Sequence, residues 1–120
     1  MAKFTLHELE NWNEPDVFVV DKNLSFNLDT TAHSIFKLQR FINTYGDFQN
    51  PAPSLNSKAD RDFLGIMLKP KDVENFINVI NKKFKAVHVP EIVHQMFSFW
   101  FKQATGQDLA EVEKAQEKKQ

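Results

Sequence analysis

The chain has 120 residues, 42% of them hydrophobic and 26% charged, with only 3 Gly and 5 Pro, which places it among folded globular chains and outside the disordered class. At 14.0 kDa it fits one domain, able to bury roughly two thirds of the surface its unfolded form exposes. A formal net charge of -1 argues against a partner held by its phosphates, and the absence of Cys excludes both a disulfide framework and a thiolate zinc site.

Taken in chain order, residues Leu6, Leu9 and Trp12 recur every third position, which suits either a short helix started by Thr5 and stopped before Pro15, or a loop. Met1-Ala2-Lys3 leads into Phe4-Thr5-Leu6-His7-Glu8 rather than into an apolar signal core, and no apolar run reaches bilayer length, so a cytoplasmic location is expected. From Asp16 the period changes to two. Val17-Phe18-Val19-Val20, the turn Asp21-Lys22-Asn23 and the alternation of Leu24, Phe26 and Leu28 with Ser25 and Asn27 predict a β-hairpin. A lone hairpin is marginal in water, so its Leu24/Phe26/Leu28 face must rest on helices.

Thr30 and Thr31 are candidate caps and Gly46 a candidate stop for a helix from Thr31 to Tyr45. On a wheel of about 3.6 residues per turn, Ile35, Leu38, Phe41, Ile42 and Tyr45 share one stripe, and Phe36 falls almost opposite, an aromatic on the polar side. Asp47 to Asn56, with Pro51 and Pro53, carries turn chemistry without periodicity. Ser57 followed by Asp60 resembles a capping arrangement for a short helix from Lys58 to about Leu68, bearing Phe63, Leu64 and Met67. Pro70 suits the first turn of the next helix. There Val73, Phe76, Ile77, Ile80, Phe84 and Val87 form a core-facing stripe over Lys71 to Val87. A further helix runs from about Pro90 to Thr105 and stops at Gly106, and Asp108 to Gln120 reads as a charged helix or a mobile tail. The expected fold is mainly α: a small helical domain over residues 1–106 with an N-terminal β-hairpin packed on the helices, followed by the charged segment 107–120.

Catalytic constellations are missing from this pattern. The four histidines, His7, His33, His88 and His94, sit in separate segments, and none forms a ligand pair on one helical face, although His88, Glu91 and His94 around Pro90 are the nearest approach to a metal site. Gly46, Gly65 and Gly106 stand alone, so there is no phosphate cradle, and no serine lies in a nucleophile elbow. A non-enzymatic protein without cofactor or metal is expected.

Phenylalanine is the anomaly, with 12 residues, and it concentrates in Met96-Phe97-Ser98-Phe99-Trp100-Phe101. Val93, Met96, Phe97, Trp100 and Ala104 cluster on one face, with Phe99 and Phe101 on opposite flanks, an apolar arc of about 200°, twice that of an ordinary surface helix. Such a helix is either central to the fold or shared with a partner. Phe36, Met96, Phe97, Phe99, Trp100 and Phe101 are therefore the candidate partner-binding residues, with methionine beside aromatics suited to gripping apolar helices.

The size of the chain, its strand pair leading into a helix, and the stretch Asp60 to Phe84 (DRDFLGIMLKPKDVENFINVINKKF) resemble the tail assembly chaperones of long-tailed (siphovirus) bacteriophages, those of Gram-positive hosts above all. The resemblance implies a late-expressed, self-associating protein of the infected host's cytoplasm, absent from the finished virion. Its implied partner is the tape measure protein, whose apolar helical repeats it would keep soluble while the tail tube assembles. It also implies a longer form made by frameshifting, for which Lys118-Lys119 would be a suitable place. The family has no catalytic residues to carry over. The alternative reading is a small helical nucleic-acid-binding regulator using Lys82, Lys83 and Lys85, and a small hydrolase or metal enzyme is the third.

Overall fold

The computed structural model describes residues 2–3, 15–46 and 54–118. The expected helix or loop at 5–14 and the first part of the proline-containing connection, 47–53, lie outside the described residues. Within them the chain is mainly helical, with an antiparallel hairpin at its N-terminal side packed against the helices.

The hairpin consists of β1 (Asp16–Asp21) and β2 (Leu24–Leu28), joined by Lys22 and Asn23, with Phe18 opposite Phe26 and Val19 opposite Ser25. Period-two alternation sends Phe26 and Leu28 into the core and leaves Val17 and Val19 exposed on the other face. Phe26 meets Phe76 edge to face, with ring centroids 5.0 Å apart, so the hairpin is anchored by the aromatic contact its pattern required. At its turn, the Asn23 amide donates to Asp21 Oδ1 at 2.8 Å, and Asp21 is also ion-paired with Lys83.

Helix α1 (Ala32–Tyr45) starts where expected but not by the expected bond. The Thr31 side chain makes no cap bond and instead donates to Asp29 Oδ1 at 2.6 Å, while the Thr31 amide donates to the same oxygen at 3.0 Å. Asp29 thus closes a local turn just before the helix, a competition between side chain and backbone that short acidic residues often win. Helix α2 (Lys58–Met67) is capped as expected, with the Asp60 amide donating to Ser57 Oγ at 3.0 Å. Gly46 and Gly106 both take positive φ at helix ends, and the Gly106 amide donates to the Lys102 carbonyl.

Helix α3 (Pro70–Lys83) buries Val73, Phe76, Ile77 and Ile80. The expected continuation to Val87 is corrected by the structure: Phe84 is extended (φ −120°, ψ 151°), a short 3-10 turn occupies Ala86–His88, and Val87 is 74% exposed. The backbone leaves the helical path at Phe84 and Lys85, and that break takes Val87 off the α3 stripe. Helix α4 (Val89–Thr105) is the central element, touching β1, α1 and the last helix, α5 (Leu109–Lys118). The amide of Ala110 donates to Asp108 Oδ1 at 2.9 Å at the start of α5, and Leu109 packs at the edge of the core.

One core residue had no periodic signal. Leu55 is fully buried with φ 54°, in the left-handed region that costs a non-glycine residue about 1–2 kcal/mol. Burying a leucine contributes about 1.5–3 kcal/mol, enough to offset that strain. The end of the connection is held down besides, by Asn81 Nδ2 donating to the Ser54 carbonyl at 2.8 Å.

Candidate functional site

The six aromatic and methionine candidates divide into two groups. Met96, Phe97 and Trp100 are 0%, 4% and 0% exposed and fill the core, together with Val93. Their expected place on a partner-binding surface is corrected accordingly: they sit at the centre of the α4 arc, and the hairpin and the neighbouring helices cover that centre completely. Phe99 and Phe101 lie on the two flanks, half-buried at the border of the core, and Phe36 on the outer side of α1 is 62% exposed. Of the six candidates only Phe36 is among the exposed large hydrophobics, with Val17, Val19, Ile42, Tyr45 and Val87, while Phe99 and Phe101 keep partial exposure against the core.

Trp100 holds a further role within the fold. Its indole Nε1 donates to the Asp29 carbonyl at 2.7 Å, while the Asp29 amide donates to the Met67 carbonyl at 2.8 Å. Asp29 therefore joins the end of β2 to α2 and α4, and its carboxylate faces Lys37 of α1 at 3.6 Å. Burial pushes the Asp29 carboxyl up, but the Thr31 hydrogen bonds and the Lys37 charge outweigh it and hold it below the usual carboxylate range.

A line of rings connects this core to the surface. Phe101 stands 6.1 Å from Phe97 between centroids, Phe97 stands 5.0 Å from Phe63, Phe63 5.5 Å from Phe41, and Phe41 4.8 Å from Tyr45. Trp100 stacks on Phe97 at 5.6 Å. The line begins on a flank of α4 and ends at Tyr45, on the wall of a groove between α1, α2 and α3. Offset and tilted ring contacts of this kind add roughly 0.5–1.5 kcal/mol each beyond their burial. No sequence motif announces the line, because its members come from three helices.

The polar candidates are placed as follows. His33, His88 and His94 are exposed, and His7 lies outside the described residues; among those described, no group of three or more His, Asp or Glu is placed to hold a metal ion. Lys82, Lys83 and Lys85 are exposed at the end of α3, with Lys83 engaged by Asp21. No helix among the described residues is long and apolar enough to cross a membrane. Comparison of the chain with protein families, with curated proteins and with solved structures gave no match in any of the three.

Proposed function

We propose that this chain is a non-enzymatic binding protein that holds apolar helical segments of another polypeptide in solution, as a tail assembly chaperone of long-tailed phages would hold the tape measure protein in the host cytoplasm without entering the virion. One observation carries the reading. After the fold has sealed the centre of α4, Phe99 and Phe101 remain half-buried on its flanks and Phe36 remains exposed on α1. Phenylalanine left partly in water gains when a second apolar surface covers it, at about 25 cal/mol per Å² of apolar area.

Each such contact is weak on its own. Several copies of the chain bound along one apolar helix would hold it by avidity, while every single contact stays releasable as the tube subunits arrive. Self-association is part of the same reading. The test is suppression of aggregation of a tape measure fragment made of apolar helical repeats, comparing the native chain with Phe99→Ser/Phe101→Ser. The variant is expected to keep its helical circular dichroism, to lose the protection and to associate less with concentration. Protection equal to that of the native chain would reject the reading, and so would unfolding of the variant, since both residues would then belong to the core.

A further inference from the structure

The groove at the end of the ring line has a volume of about 520 Å³, the size of an ordinary ligand or side-chain pocket. Its apolar lining comes from Phe41 and Tyr45 of α1 and from Pro70 and Val73 of α3. Two carboxylates line it and both are occupied: Glu74 is ion-paired with Arg61, and Asp62 accepts the Tyr45 hydroxyl at 2.6 Å. Lys37 is occupied too, donating to the Gly65 carbonyl at 3.0 Å beside Asp29. Arg40 on the α1 wall and Lys58 on the α2 wall have no ion pair among the described residues. The groove thus combines an apolar lining with two positive charges that have no ion pair among the described residues.

Gly65 supplies an independent sign. It stands inside α2, where glycine weakens a helix, and a Cβ placed there would meet no atom within 4 Å, so no neighbour in the chain requires its absence. Because Gly65 lines the groove, the missing side chain keeps room for something to approach the α2 backbone.

We propose that this groove docks an acidic, apolar peptide segment, with an aliphatic or aromatic side chain against Phe41, Tyr45 and Val73 over Gly65 and carboxylates at Arg40 and Lys58. A nucleic-acid strand is the poorer occupant, because two cations without an ion pair among the described residues, Arg40 and Lys58, cannot follow a backbone that carries a phosphate at every nucleotide. The groove rests on the chaperone reading only in taking the partner to be a polypeptide, and it is a site distinct from the α4 flanks.

Fluorescence anisotropy of the full chain tests it, using a labelled amphipathic peptide with Leu on one face and Glu along the flanks. Matched Gln and Lys peptides and a labelled oligothymidylate serve as comparators. Arg40→Glu/Lys58→Glu should weaken the Glu peptide about tenfold or more and bind the Lys peptide in its place, since charge pairing fixes partner choice. Gly65→Leu should abolish binding of the Glu peptide, and the charge-reversed pair decides the question if that variant loses helical content. Phe99→Ser/Phe101→Ser should still bind it, which separates failure of the groove from failure of the α4 surface. Equal affinity for the Glu and Gln peptides, tighter binding of oligothymidylate, or unchanged affinity in the charge-reversed variant would each overturn the proposal.

Discussion

At the scale of single residues, the side chain that joins most of this fold is Trp100. It is fully buried, stacks on Phe97 and donates to a backbone carbonyl at the junction of hairpin and helices. Trp100→Phe keeps a ring but removes the donor and leaves the Asp29 carbonyl short of a partner in a partly buried site. Chemical denaturation should show a loss of about 2–4 kcal/mol. Asp29 should add a pH signature. Its folded pKa lies below its unfolded value of about 3.9, so its contribution is fully present above that value and is lost as pH falls through the folded pKa. Asp21 is held low as well, by its bond to Lys83, so the diagnostic quantity is the difference between variants. Unfolding free energies measured from neutral to acid pH should show the gap between the native chain and Asp29→Asn narrowing below the ordinary carboxylate range.

At the scale of elements, local period and punctuation made most of the architecture legible. Alternation marked the hairpin, and the Ser57 cap, Pro70, Pro90 and Gly106 mark helix boundaries that agree with the observed ones within a residue or two, whereas the far end of α3 falls at Lys83 rather than at the expected Val87. What could not be read was set by contacts distant in sequence. Val87 continues the period of α3 and is nevertheless exposed, because the chain turns before reaching it. Leu55 has no period and is buried, because the connection is pinned to α3. The wheel of α4 placed Phe99 and Phe101 on the flanks, but only the packed neighbours show that Met96, Phe97 and Trp100 lie beneath the surface. The groove was invisible for the same reason, since its charges and its bed come from three helices. One element-level consequence is directly measurable. Gly65→Ala should raise thermal stability by the equivalent of about 0.5–1 kcal/mol, because α2 gains helix propensity and the new methyl group meets no neighbour.

At the scale of the whole molecule, the phenylalanines among the described residues divide between the interior and the surface. Phe26, Phe76 and Phe97 seal a core between hairpin and helices, Phe18, Phe41, Phe63, Phe84, Phe99 and Phe101 are partly buried against it, and Phe36 is exposed. The most direct measurement of the proposed binding role is the heat-capacity change when an uncharged Leu-faced helical peptide is titrated calorimetrically into the native chain and into Phe36→Ser/Phe99→Ser/Phe101→Ser. Burial of apolar surface gives a negative change. The account predicts a clearly negative value for the native chain, and for the variant a value closer to zero with affinity lower by about tenfold or more. Identical heat-capacity change and affinity in the two proteins would contradict it.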